Sequence, residues 1–245
     1  MSRSGRSHEL AGALELVAML AGVLAVGAVA AEDRAGSKPP PQIVYRPPDL
    51  GAPATRTIAA ARGVGDQPTV QILAPEQTGF ALESQPKLVW LVSAPSRAPI
   101  ELTLIDEQAI EPLLELDLGP VGEPGVHAVD LKDHGVHLKP GVEYRWSVAQ
   151  VVDPEQRSAD AAASATIAVH RPDRTLLAEL EAEPPVAKLS LLASHGYWYD
   201  VIALLSEEIT ARPRHAELRQ LRADLLDQEG LEEIAEYDRQ AAGSQ

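Results

Sequence analysis

The sequence has no cysteine. That excludes disulfides, thiolate metal sites, a cysteine nucleophile and lipid attachment through an N-terminal cysteine. If exported, such a chain must be held together by its core alone. Aromatic residues are scarce, at 4%, with a single Phe. Their clustering is therefore informative: Phe80, Trp90, Tyr144 and Trp146 lie mid-chain, and Tyr197, Trp198, Tyr199 and Tyr237 toward the end. Two core sites are the simplest reading, since aromatic rings bury large apolar areas. Positive charge is the third deficit. The net charge is −15, and from Gln71 onward 14 Lys and Arg face 30 Asp and Glu, a balance of −16. A surface this negative repels phosphate backbones, which argues against nucleic acid as a partner.

The short motifs of common chemistries are missing too. There is no G-x-S-x-G elbow, no phosphate-cradling glycine loop and no H-E-x-x-H. Acids such as Asp106, Glu107, Glu111 and Glu115 are near neighbours, but with 30 acids from Gln71 onward such neighbours arise without purpose. Glycoside hydrolysis needs one of a pair raised in pKa and facing the other across a cleft. His134 and His137, beside Asp133, lack a further spaced ligand. The carboxylates of Asp153, Glu155 and Asp160 match no calcium-loop spacing, and Arg157 is a natural ion-pair partner for one of them. Ser194-His195-Gly196 reads as a helix end. No catalytic residue, metal or cofactor is assigned.

What is present begins with an export signal. Arg3 and Arg6 precede an uncharged apolar run, Leu16 to Ala31, and Ala28-Val29-Ala30 is a small-x-small cleavage site. The run is short for a membrane span, which takes about 20 residues. Glu9 and Glu15 are unusual in a signal and keep open an uncleaved anchor, the one membrane contact expected. Residues 32–68 form a Pro-rich linker carrying Pro39-Pro40-Pro41, Pro47-Pro48 and Pro53. Such segments act as extended spacers, or as docking peptides.

From about Thr69 the period is two. Val142, Tyr144, Trp146 and Val148 alternate with polar residues after the Pro140-Gly141 turn. The tyrosine there, with Leu138 six residues earlier, resembles the tyrosine corner of an immunoglobulin-like or fibronectin-III-like domain. Lys87–Ser93 is apolar on both faces and reads as a central strand carrying Trp90. Seven short strands separated by turns predict a sandwich over 69–170, with Trp90 and Tyr144 packing across it.

After Pro172 the period becomes 3.6. Asp173 is placed to cap a helix holding Leu176, Leu177 and Leu180. Trp198, Val201, Ile202, Leu205 and Ile209 form one apolar stripe. Leu191-Leu192, Gly196 and Val201 recur 34 residues later as Leu225-Leu226, Gly230 and Ala235. Thirty-four is the tetratricopeptide period, but one and a half units fall short of a free-standing array. A TPR-like helical hairpin is expected over 171–240, serving as a docking groove or as a cap, with a disordered tail at 241–245.

Several ordered stretches resemble the bacterial family catalogued as domain of unknown function 928. They are Tyr45-Arg46-Pro47-Pro48, Leu73-Ala74-Pro75 with Thr78-Gly79, Gln85-Pro86 with Trp90, Tyr144-Arg145-Trp146, Arg157-Ser158, Gly196-Tyr197-Trp198-Tyr199-Asp200, and Leu225-Leu226 with Gly230-Leu231. The likeness runs from about Pro39 to Tyr237. It implies an exported bacterial protein with no assigned activity, and it carries no site residues.

The expectation is an α+β chain: a seven-stranded antiparallel β-sandwich followed by helices. Its function is expected to be that of an exported, non-catalytic binding or scaffolding module of the cell envelope with a protein partner. Tyr197, Tyr199 and Asp200, flanking an inward Trp198, are the candidate contacts. The alternative is a carbohydrate-active or small-ligand-binding periplasmic protein using an acidic cleft between sandwich and helices. A concave pocket with convergent polar groups separates the two readings.

Overall fold

The computed structural model describes residues 43–48, 56–59, 68–153, 155 and 160–243. The expected leader at 1–31, most of the linker, and Arg157 lie outside these residues. The alternating region forms two sheets. The larger contains β1 (Thr57–Ala59), β3 (Gly79–Ala81), β5 (Pro99–Asp106), β6 (Leu114–Pro120), β8 (Glu143–Gln150) and β9 (Ala161–Val169). Its order is β1-β9-β8-β5-β6, with β3 added to β9 in parallel. The smaller is β2 (Val70–Ile72), β4 (Lys87–Val92) and β7 (Gly125–Asp130), ordered β2-β4-β7.

The expected seven antiparallel strands are thus corrected to a six-stranded mixed sheet and a three-stranded one. The two strands the periodicity missed, β1 and β3, have three residues each. That is too short to show alternation. They divide the outer edge of β9, β1 pairing with Ala162–Ser164 and β3 with Ile167–Val169.

β4 is central in its sheet and buried along both faces beyond Lys87. The Lys87 ammonium reaches Glu207 on the helical side. By alternation Val89 and Leu91 share that side, while Leu88, Trp90 and Val92 face away from it. On β8, Tyr144, Trp146, Val148 and Gln150 are buried and the residues between them are half-buried. The Tyr144 hydroxyl accepts the Lys139 N–H at 3.1 Å across the Pro140-Gly141 turn. Trp90 and Tyr144 belong to one continuous core.

The helices are α1 (Arg174–Ala182), α2 (Pro185–Ser194), α3 (Trp198–Ala211), α4 (Ala216–Gln228) and α5 (Glu232–Gly243). Asp173 caps α1 through its carboxylate, which accepts Leu176 N–H at 2.8 Å. The stripe Trp198, Val201, Ile202, Leu205 and Ile209 is buried throughout. α5 runs through residues 241–243, past the boundary expected at 240.

The 34-residue echo is a repeat of backbone geometry. Leu192 O accepts the N–H groups of His195 and Tyr197 at 3.1 and 3.0 Å. Leu226 O accepts those of Glu229 and Leu231 at 3.1 and 3.0 Å. Between them Gly196 and Gly230 have φ of 84° and 65°, the left-handed region that glycine enters without strain. At Gly196 space is also lacking, since a Cβ there would lie 3.0 Å from Pro48 Cδ.

That contact belongs to a feature the composition hid. Ile43–Pro48, expected within a free linker, is an extended strap packed on the helices. Gln228 pins it, its amide oxygen accepting Tyr45 N–H at 2.9 Å and its amide nitrogen donating to Ile43 O at 2.8 Å. Arg46 N–H donates to Ala193 O at 3.1 Å. Ile43 and Tyr45 point inward, with Tyr45 edge-on to Trp198 at 4.7 Å, while Val44 and Arg46 are exposed.

Candidate functional site

Tyr197, Tyr199 and Asp200 come together at the start of α3, but not as a partner surface. Tyr199 is 2% exposed. Its hydroxyl accepts the Trp146 indole N–H at 2.9 Å and donates to Thr166 O at 3.0 Å, joining the first turn of α3 to β8 and β9. Trp198 donates its indole N–H to Leu73 O at 2.8 Å. These two neighbours therefore anchor the helical layer to two points of the sheet layer. The expected contact role of Tyr199 is corrected accordingly: a residue whose hydroxyl is fully used inside the core has none to offer outside.

Asp200 is half-buried, and its carboxylate accepts the Leu82 N–H at 2.9 Å. Burial pushes its carboxyl up to about 7, with Glu83 adding repulsion and two backbone N–H groups favouring the ionised form. It fastens α3 to the loop after β3. Tyr197 is 1% exposed and its hydroxyl has no hydrogen-bond partner within the protein. Burial pushes that hydroxyl up to about 12. Its ring lies near Phe80 and His170, which stack on each other at 4.6 Å, and the three border a hollow of about 320 Å³. Tyr199 and Asp200 are thus joints between layers, while Tyr197 borders the hollow with its hydroxyl unpartnered. The sequence shows them as aromatic and acidic at a helix start, and it cannot show what lies opposite.

Two concave surfaces were not legible in the sequence. The first lies along α1 and α2. Pro184, Val186, Ala187 and Leu191 form its apolar part, Glu179 and Glu183 its acidic edge, and its volume is about 610 Å³. Val186 is 40% exposed there, and Leu177 on α1 is 46% exposed. Leucines and a valine on short helices read as core from spacing alone, and only the packing shows which of them remain outside.

The second surface is a cleft of about 640 Å³ between the small sheet and α3, α4 and α5. This is the place where an acidic cleft was expected. Its charged lining is instead Lys87, Arg219 and Arg222 with a single acid, Glu207. Two cations of α4, Arg219 and Arg222, turn inward here. Lys87 is paired with Asp130 at 2.6 Å and Glu207 at 3.2 Å. Arg222 clamps the fully buried Asp238 through two bonds of 2.7 Å and donates to the Ser206 hydroxyl at 2.8 Å. Among the described residues, no group of three or more His, Asp or Glu is placed to hold a metal ion. No helix among them is long and apolar enough to cross a membrane.

No curated protein matches this sequence. Among solved structures, a crystal structure of an engineered protein is 12% identical, with a TM-score of 0.29, over 42% of this chain and 20% of its own. The chain thus spans about a fifth of that structure's length, and the likeness carries no argument. The family model described as Domain of Unknown Function (DUF928) matches residues 53–238, from just past the strap to the last turns of α5. That is well over half the sequence, and the chain belongs to the DUF928 family.

Proposed function

We propose that this chain is an exported, non-catalytic docking module of the bacterial cell envelope, with a protein partner that seats on the α1–α2 face. The observation that carries the reading is the exposed apolar hollow at Val186, bordered by Glu179 and Glu183. Contiguous apolar surface rimmed by polar residues marks interaction sites. The acidic edge and the net charge of −15 favour a partner segment with apolar residues flanked by Lys or Arg. A non-catalytic role is supported by the pairing of the charged groups: Lys87, Arg222 and Asp238 are each bound to opposite charge, so none is poised as a free acid or base. Export is supported by the sequence of residues 1–31 alone. The helical layer, with its paired turns 34 residues apart, serves in this reading as a TPR-like docking platform in which Ile43–Pro48 is a built-in occupant.

The test is site-specific photo-crosslinking from position 190, which lines the same hollow, in cell-envelope extract. One discrete partner, lost in Val186→Asp and retained in Ile110→Asp, is the expected result. Ile110 is 97% exposed and lies in the β5–β6 connection, away from the hollow. A crosslinking pattern indifferent to Val186→Asp would refute the reading.

A further inference from the structure

The cleft between the small sheet and the helices holds an arginine, Arg219, whose contacts within the protein are long. Asp238 is fully buried, and Arg222, 2% exposed, takes both of its oxygens at 2.7 Å. Arg219 approaches the same carboxylate only at 3.3 Å. Its remaining contact, from Nε to Pro213 O, is 3.4 Å long. Two guanidinium groups thus share one carboxylate and Arg219 holds the weaker share, while Lys87 alone takes both Asp130 and Glu207. The Arg219 side chain is only 13% exposed, so water does little to disperse its charge. Among the described residues no second carboxylate lies within ion-pair distance of Arg219. Glu207, the other acid of the cleft, is engaged by Lys87 at 3.2 Å.

Part of the cleft wall is apolar. Val89, Val126 and Ala128 of β4 and β7 contribute to its lining, as does Tyr237. The hydroxyl protons of Ser206 and Thr210 are already given to Ile202 O and Ser206 O, at 2.6 and 2.8 Å. These side chains can therefore only accept, and the guanidinium of Arg219 is a charged donor held by long contacts alone. A guanidinium suits a planar carboxylate, to which it can give two parallel hydrogen bonds. The volume, about 640 Å³, lies within the range of small-molecule clefts, roughly 300–1,000 Å³. The chain as a whole carries −15 and repels multiply charged anions from a distance. A single negative charge on an apolar body meets the least opposition and uses both parts of the site.

We propose that this cleft binds a small organic monocarboxylate, its carboxylate on Arg219 and its apolar body along β4 and β7. The site is separate from the α1–α2 face, so either reading can fail without the other.

The experiment is calorimetric titration of the full chain with octanoate, beside 1-octanol as the neutral counterpart and acetate as the anion without a body. Saturable one-to-one binding of octanoate is expected, with octanol and acetate each weaker by about tenfold or more. Arg219→Gln is expected to reduce octanoate affinity to that of octanol, and Arg219→Lys to restore part of it. Ala128→Trp, at an exposed position of the cleft, is expected to block the apolar body and abolish binding with the fold intact. The proposal falls if octanoate does not bind, if it binds no better than octanol, or if Ala128→Trp leaves its affinity unchanged. Should Arg219→Gln fail to fold, the octanol comparison and Ala128→Trp decide the matter.

Discussion

Trp146 and Tyr199 stand 53 positions apart and share a buried hydrogen bond of 2.9 Å, the indole N–H donating to the phenol oxygen. The same oxygen donates its proton to Thr166 O at 3.0 Å. One hydroxyl therefore satisfies a polar group on each of two neighbouring strands, β8 and β9. Replacing it by hydrogen leaves the Trp146 indole N–H buried without this acceptor and takes one donor from Thr166 O. Tyr199→Phe is expected to destabilise the fold by about 1–3 kcal/mol, read from the midpoint of urea unfolding. A change below about 0.5 kcal/mol would show that water replaces the hydroxyl without loss.

Among the described residues Asp238 is the sole carboxylate between Arg219 and Arg222, and it is 0% exposed. Removing it strands buried positive charge. Asp238→Ala is expected to cost about 3–5 kcal/mol in urea unfolding, and the double replacement Arg222→Met with Asp238→Leu markedly less. Equal losses from the two would mean that the pair is worth more than an apolar filling of the same space.

Gln228 holds the strap by imitating a strand partner, with one bond to Tyr45 N–H and one to Ile43 O. Gln228→Ala leaves those bonds to water. Hydrogen exchange of the Tyr45 amide is expected to quicken several-fold, while global stability falls by only about 1 kcal/mol. If the Tyr45 amide exchanges at the wild-type rate, the strap is held by Tyr45 and Trp198 rather than by the Gln228 amide.

The carboxyl of Asp200 is raised to about 7, chiefly by burial. An acid raised in the folded state keeps its proton after the unfolded chain has released its own. Its contribution to stability is therefore fully present below the ordinary carboxyl value, about 3.9, and is lost as pH rises through the folded value. Asp200→Asn, which keeps an acceptor for Leu82 N–H, removes that loss. The stability of the variant relative to wild type is expected to rise between about pH 4 and 7 and to level off above. A difference independent of pH across that window would show that Asp200 titrates as an exposed acid.

The leader makes its own prediction. Mature protein from cells is expected to begin at Ala31 or Glu32 by N-terminal sequencing, since the small-x-small site ends at Ala30. An intact Met1 in the mature material would mean that the segment is retained as an anchor.

The periodicity carried the order of strands and helices because alternation and the 3.6-residue stripe depend only on neighbours in the chain. Asp173 as a cap, Gly196 and Gly230 in left-handed turns, and Tyr144 bonded five residues back are all local, and all were readable. The strands β1 and β3 escaped because three residues hold too few alternations to signal anything. The strap escaped because the bonds that hold Tyr45 and Ile43 come from Gln228, more than 180 positions away.

The sequence by itself determined where the backbone alternates, where it coils and where glycine must turn it, since each of those outcomes is set by steric and hydrogen-bonding choices within a few residues. Only the tertiary structure decided that Tyr197 and Tyr199 are enclosed while Val186 is exposed, and that two arginines meet one aspartate. Burial and charge balance are sums over whatever the fold brings near. Those neighbours come from parts of the chain that no local pattern connects.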